Sequence, residues 1–478
     1  MATDHDNYQS PLAGRYASKA MRHLFSANHR IGIWRRLWLA LAESQQELGL
    51  AITDAQLDEL RGTLDDIDHE AANRFERELR HDVMAHVHTW GEQCPEARAI
   101  LHLGATSCFV TDNAELVILR EALGLLKSEL VGVLRALRAF ALEWRSLPTL
   151  GRTHYQPAQA TTVGKRATLW IQDLVDDLAD LEWAESRLRF RGVKGTTGTQ
   201  ASFLELFEGD HDKVVALDEK VAARMGFEKR FAVTGQTYSR RLDFRVGQAL
   251  AGICQSLHKL AVDVRLLAGQ RELEEPIGAR QIGSSAMPWK RNPMRCERIC
   301  SLARHAMVEL DNTAHTAANQ WLERTLDDSA NRRITLAQLF LATDAVLHLG
   351  LDVASGLEVR PEVVRRNLTE ELPFLASEHV LMEAVRAGGD RQDLHEALRV
   401  HSRAAAEAIY QGLPNPMKER IEADPAFAQV ADRLDELLDP ARFVGRAPEQ
   451  VLEFVAQELD PVLERFAEVE SLQSEVLV

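Results

Sequence analysis

Residues 111–148 read TDNAELVILREALGLLKSELVGVLRALRAFALEWRSLP, and within them Leu116, Leu119, Leu123, Leu126, Leu130, Val133, Leu137 and Phe140 recur at alternating steps of three and four. That alternation keeps one apolar seam on one helix face, the pattern of coiled-coil-like packing. The spacing predicts a helix of about 35 residues, roughly 50 Å long. It ends before Pro148 and opens after Thr111, where Asp112 and Glu115 are a candidate capping box.

Working outward, Leu250, Ile253, Leu257, Leu260, Val264 and Leu267 make a second seam, and 163–188 and 296–321 are long helical candidates with less regular stripes. Strand-like alternation is hard to find. The reading is an all-α protein in three parts: helical residues 1–106, a central long-helix bundle over 107–359, and a helical segment over 360–478 that begins where Glu358-Val359-Arg360-Pro361 interrupts the pattern. Thin bundles of long helices expose more apolar surface than one chain covers, so a homo-oligomer is expected.

Composition narrows the function. Lys plus Arg number 56 against 72 for Asp plus Glu, a net charge of -16, and aromatics are only 6%, so no nucleic-acid partner is expected. No run of about 18 apolar residues and no basic-then-apolar N-terminal leader is present, so a cytoplasmic chain without a membrane partner is expected. The cysteines at 94, 108, 254, 296 and 300 are odd in number and form no CxxC pair, which suggests neither a disulfide framework nor a zinc site.

The chemistry concentrates in loop-like segments. RHDVMAHVH (80–88) groups Arg80, His81, Asp82, His86 and His88, but lacks the HExxH pattern and reads as polar substrate binding or a capped helix start, with no metal. GATS (104–107) offers the Thr106 and Ser107 hydroxyls at a helix N-terminus, for an anion or simply for capping. GRTHYQP (151–157) is read as a turn between helices carrying His154, suited to proton transfer near neutrality. GVKGTTGTQ (192–200) lacks P-loop spacing. GSSAMPWKRNP (283–293) sets a mobile serine loop beside Lys290, Asn292 and a helix starting near Pro293, able to deliver a base and hold a carboxylate, or to serve as a linker. ERTLDDSANRR (323–333) puts Arg324, Arg332 and Arg333 beside Ser329, fit for phosphate or carboxylate, or for salt bridges to Asp327 and Asp328.

GSSAMPWKRNP resembles the GSSxMPxKxNP signature of the fumarase/aspartase superfamily, lyases that release fumarate by β-elimination. With RHDVMAHVHT, LHLGATS, LPTLGRTHYQPAQ, RGVKGTTGTQASF, TGQTYSR and ERTLDDSANRR, nearly the whole chain is similar to the adenylosuccinate lyase family, in its animal form. The resemblance implies a three-domain, almost all-helical homotetramer whose sites combine segments of three subunits. It implies fumarate release from adenylosuccinate, giving AMP, and from succinylaminoimidazole carboxamide ribotide (SAICAR), giving the carboxamide ribotide (AICAR), with no cofactor and no metal.

By motif, the resemblance makes Ser284 the base on the succinyl carbon and His154 the acid toward the departing nitrogen. Lys290 and Asn292 would stabilise the aci-carboxylate intermediate, His81 would orient or protonate near the leaving group, and Glu297 would be the charge partner of a catalytic His. The substrate-binding positions it implies are Arg15, Tyr16, Arg80, His81, Asp82, Thr106, Ser107, Thr153, Gln236, Asn292, Arg298, Arg324, Ser329 and Arg333. Trp289 stands where related lyases often carry Tyr or His. Other members of the superfamily, such as argininosuccinate lyase, would share Ser284, Lys290 and Asn292; the Arg324, Ser329 and Arg333 group favours a nucleotide. A non-catalytic scaffold is disfavoured by intact His154 and Ser284.

Overall fold

The structure is a computed structural model that describes residues 6–278 and 280–469. Its helices include α1 (Ala27–Glu47), α2 (Asp82–Gln93) and α3 (Ser107–Glu143), followed by a hairpin of β1 (Pro148–Thr153) and β2 (Gln156–Thr162). Then come α4 (Val163–Ser186), α5 (Arg241–Gly269), the short strand β3 (Leu273–Glu274), α6 (Met294–Ala318) and α7 (Asp327–Gly356). The strand β4 (Glu358–Val359) pairs with β3 and leads to α8 (Pro361–Leu375) and α9 (Arg391–Tyr410).

Helix α3 has 37 residues, about 55 Å, and every member of its expected seam is buried. It starts earlier than the capping reading of Asp112 and Glu115 allows. Thr106 is the N-cap, and Asp112 lies buried inside the helix, bonded to Arg240 and to the Tyr238 N–H. Local cap grammar misassigned it because its partners are more than 120 residues away in sequence.

Helix α7, which the periodicity missed, is long and apolar enough to cross a membrane by length and composition, yet its apolar positions from Leu336 to Ala354 are buried in the bundle. A helix buried on all sides has no polar face and therefore no period to read. The segment carrying His154 departs from the expected turn between helices: it is an antiparallel hairpin, with Pro148 opposite Thr162 and Thr153 opposite Gln156.

The long helices run pole to pole. Helix α4 returns along α3, and its start is so close that a Cβ on Gly164 would lie 2.2 Å from the Ala141 carbonyl oxygen. Helix α6 reverses on α5, with Arg265 near the end of α5 contacting Glu297 and Cys300 near the start of α6. Helix α7 leaves the pole where Arg240 bonds Asp328 and ends with Gly356 against Pro276.

One continuous apolar core joins the N-terminal helices, the bundle and Val451, Val455 and Leu459, so it crosses the expected boundary at 106/107 without a break. A separate cluster from Val380 to Leu437 forms the core of the C-terminal segment.

A buried charge ladder locks one pole. Arg240, 2% exposed, makes a forked bond to Asp112 (3.0 and 3.0 Å) and donates to Asp328 (2.6 Å). Arg332 donates to Asp243 (2.7 Å) and to the Tyr238 hydroxyl (2.6 Å), which itself donates to Asp243 (2.7 Å). Burial would raise the Asp112 carboxyl, but Arg240 and Arg332 together hold it below its ordinary value. Removing one partner of a buried pair strands the other charge, so Asp112→Ala is expected to cost about 3–5 kcal/mol. Arg74→Ala, which breaks an exposed pair with Glu92, should cost less than about 0.5 kcal/mol. Urea unfolding of both variants checks the contrast, and equal losses would contradict it.

Candidate active site

The first group of expected site residues gathers around the starts of α2, α3 and α7. Arg80 adopts φ 56° and ends the helix before α2, which turns the chain so that His81 becomes the N-cap of α2. His81 Nδ1 accepts from the Met84 N–H (3.4 Å), leaving Nε2 to carry the hydrogen and face Ser107 Oγ at 3.4 Å. Asp82 accepts from Arg333 (2.5 Å); burial alone would raise this carboxyl, and Arg333 brings it below the usual range. Arg324 is braced by Asp328 (2.7 Å). Gln236 is reached by the Cys108 thiol at 3.6 Å, and Thr106 caps α3 without spending its hydroxyl on a cap bond. Ser329 lies in the first turn of α7, one turn before Arg333.

The glycine segment at 192–200 braces this group. Buried Arg191 donates to the carbonyls of Gly192 (3.0 Å), Gly195 (2.9 Å) and Gln236 (2.9 Å), while Lys194 is committed to Asp218 (2.6 Å). The histidines of RHDVMAHVH diverge: His86 meets Trp34 edge-on with ring centroids 5.6 Å apart, and His88 stacks on Phe75 at 5.5 Å.

The second group is the serine loop. Ser284 Oγ accepts from the backbone N–H groups of Met287 (3.2 Å) and Ala286 (3.4 Å). Asn292 donates to the Gly283 carbonyl (2.8 Å), and a Cβ on Gly283 would lie 2.4 Å from the Lys290 carbonyl oxygen, so glycine alone lets the loop fold back this tightly. Lys290 is exposed. Behind the loop, Glu275 accepts from the N–H groups of Arg295 (2.9 Å) and Cys296 (2.8 Å), which anchors the first turn of α6. On that helix Arg298 sits over the Tyr16 ring at 5.8 Å, whereas Glu297 is exposed and 4.0 Å from Arg265. Arg15 is exposed beside Tyr16.

The third group is the hairpin tip. His154 and Tyr155 have φ 53° and 59°, both in the left-handed region, between paired Thr153 and Gln156. A two-residue turn of this hand ordinarily takes Asn-Gly, so the backbone holds these bulky residues in a strained conformation. Tyr155 is steadied by Gln270, which donates to its hydroxyl (3.2 Å), and by Arg152 near its ring (5.6 Å).

The first group does not meet the other two within one chain. Helix α5 begins beside Arg240 at the His81 pole and ends beside Gln270 at the hairpin; its 29 residues span about 43 Å. His81, Ser107 and Arg333 are therefore separated from His154 and from the serine loop by roughly the bundle's length. Asp328 fulfils the salt-bridge alternative for Arg324, whereas sequence reasoning missed Tyr155 and Glu275, whose contributions are at the turn beside His154 and to the helix behind the serine loop. The pair Glu274-Glu275 ahead of the serine loop was the available signal.

Comparison with known proteins identifies this architecture. Residues 40–308 match the model of the family described as Lyase, and residues 373–454 match Adenylosuccinate lyase C-terminus. The fold is shared with the 3-carboxy-cis,cis-muconate lactonizing enzyme from Pseudomonas putida (TM-score 0.80, 23% identity, 95% of this chain and 99% of that one). It is also shared with a fumarate lyase from Mesorhizobium sp. BNC1 (TM-score 0.78, 24% identity, 93% and 99%). Fold and family model thus define a lyase of the fumarase/aspartase superfamily. Adenylosuccinate lyases of Saccharomyces cerevisiae and Schizosaccharomyces pombe are each 51% identical over 467 residues, 97% of both chains, and that of Schistosoma mansoni is 47% identical over 476 residues, 99% of both. The chain belongs to the adenylosuccinate lyase family.

Acid weakens the frame of the first group. His102, in the turn before Ser107, accepts the Trp38 indole N–H (2.9 Å) on Nδ1, and burial pushes its pKa down to about 4; burial does the same to His86. The folded value lies below the unfolded one, so stability present above about 6.5 declines as pH falls toward about 4. Asn at 102 tolerates φ 62° and offers an oxygen to Trp38 without titrating. Thermal melts of His102→Asn across that range should show a shallower loss of midpoint; an unchanged slope would contradict the assignment.

Proposed function

We propose that this chain catalyses β-elimination of fumarate from adenylosuccinate, giving AMP, and from SAICAR, giving AICAR. The observation that carries the mechanism is the pair of backbone N–H groups aimed at Ser284 Oγ. A neutral serine hydroxyl is a poor base, and dipoles directed at its oxygen stabilise the alkoxide form that could take the proton. Ser284 removes the proton from the succinyl carbon next to the one bearing nitrogen, and that electron pair forms the new double bond as the C–N bond breaks. His154 delivers a proton to the departing nitrogen, and His81, with Nε2–H presented toward Ser107, orients that end. Lys290 and Asn292 hold the carboxylate whose charge grows, and Arg324, Ser329 and Arg333 suit the phosphate. The remaining expected contacts, Arg15, Tyr16, Arg80, Asp82, Thr106, Thr153, Gln236 and Arg298, and Glu297 as a charge partner, belong to the same proposal.

The proposed site is completed by a homotetramer. Its support is the bundle-length separation of the His81 group from the serine loop, together with exposed Leu169 and Trp183 on α4, Leu266 on α5 and Val308 on α6. We further propose that the enzyme works in the cytoplasm, whose reducing conditions suit five free thiols.

Fumarate appearance from purified protein given adenylosuccinate in one vessel and argininosuccinate in another tests the substrate. Release from adenylosuccinate alone is expected; release from argininosuccinate alone would overturn the nucleotide reading, and release from neither would overturn catalysis. Ser284→Ala and His154→Ala should each leave a folded oligomer with turnover reduced roughly a hundredfold or more. Near-normal turnover in either variant would remove that residue from its role.

A further inference from the structure

Deep in the bundle, away from both poles, Glu129 on α3 lies beside Asp344 and His348, which share one face of α7 at a spacing of four residues. Glu129 is 1% exposed, Asp344 0% and His348 7%. Asp344 is fixed in orientation by Ser18, whose N–H and hydroxyl each donate to it at 2.7 Å. Glu129 is not anchored in that way: among the described residues no backbone, hydroxyl or cationic Lys or Arg group bonds its carboxylate oxygens, whose near neighbours are His348, with Nε2 3.3 Å from Oε1, and Asp344. Among the described residues, no Lys or Arg is ion-paired to either carboxylate. Burial pushes the Glu129 carboxyl up to about 8 and raises that of Asp344, so the low-dielectric core resists ionising the two carboxylates unless a proton or a cation neutralises them.

We propose that Glu129, Asp344 and His348 form a structural site for one divalent transition-metal ion of the zinc type. The donor set is one imidazole and two carboxylates, and one dication balances its charge. Zinc bonds of about 2.0–2.1 Å place tetrahedral ligands roughly 3.3 Å apart, the separation of His348 Nε2 from Glu129 Oε1. Asp344 Oδ1 is 3.9 Å from His348 Nε2, and all the candidate ligand atoms lie within 4.8 Å of one another. The Ser18 bonds are the kind of outer support that orients a metal-binding carboxylate. The ion would tie the N-terminal segment through Ser18 to α3 and α7, and it takes no part in the elimination.

The full-length protein, purified without a metal-affinity step, should contain about one ion per chain by elemental analysis. Chelation should lower its thermal midpoint, and Zn²⁺ added back alone should restore it. Co²⁺ in the chelated wild type should give visible d–d absorption, a readout that needs no variant to fold. Glu129→Gln and His348→Asn should each lose metal at least ~tenfold while retaining fumarate release. Metal-free protein whose midpoint is unmoved by Zn²⁺ or Mn²⁺ and which gives no Co²⁺ bands overturns the site, leaving a proton shared by Glu129 and Asp344 to neutralise the cluster. An ion kept by both variants lies elsewhere and overturns it equally.

Discussion

The forked ion pair between Arg240 and Asp112, extended to Asp328, is the constraint on which the rest of the molecule depends. It joins three elements distant in sequence, α3, the 234–240 segment and α7, and a buried guanidinium with both carboxylates in hydrogen-bonding geometry leaves little freedom in how they meet. Tyr238, with Arg240 4.6 Å and Arg332 5.5 Å from its ring, extends the same lock into α5 through Asp243. Because Asp328 also holds Arg324, the ladder reaches an expected substrate-binding side chain through a single shared carboxylate.

From that fixed pole the bundle runs straight to the other, and its length governs the chemistry. A short globular fold could curl its loops together; helices of 25 to 37 residues cannot. The His81, Ser107 and Arg333 group and the Ser284 loop are each well built, with caps, braces and tight loop backing, yet in the proposed mechanism each supplies only part of the site. The same long helices present apolar side chains such as Val308 to the outside. The proposed tetramer answers both features at once, since neighbouring bundles would cover the apolar faces and bring complementary poles together.

Much of this was legible in the sequence, for definable reasons. The seam from Leu116 to Phe140 announced α3 because large apolar residues fill it while Arg120, Glu121, Lys127, Ser128, Arg135 and Arg138, all only partly buried, interleave with it and leave a readable period. The serine loop was legible because small residues, Pro and a following helix start leave a strong local signature, and α6 does begin at Met294. Helix α7 was not, since Leu336 to Ala354 are buried on every side and offer no period. The hairpin escaped because Gly151 and Pro157 read as turn residues, whereas the turn itself is made by His154 and Tyr155 in backbone conformations that such residues rarely adopt. Asp112 was misassigned because a buried ion pair is a long-range fact. The separation of the motifs could not be read either: sequence lists the chemical groups in order but does not say at which end of a helix bundle each one stands.

In the proposed tetramer, one chain holds the pieces of the site at opposite poles and separate chains complete it. The most direct measurement is fumarate release after subunit exchange between His81→Ala and Ser284→Ala proteins, each expected to be inactive alone. Because the two residues stand about 40 Å apart within a chain, mixed oligomers should regain a measurable fraction of wild-type turnover from sites that draw His81 and Ser284 from different, intact copies. Demonstrated exchange without any recovery would contradict the account.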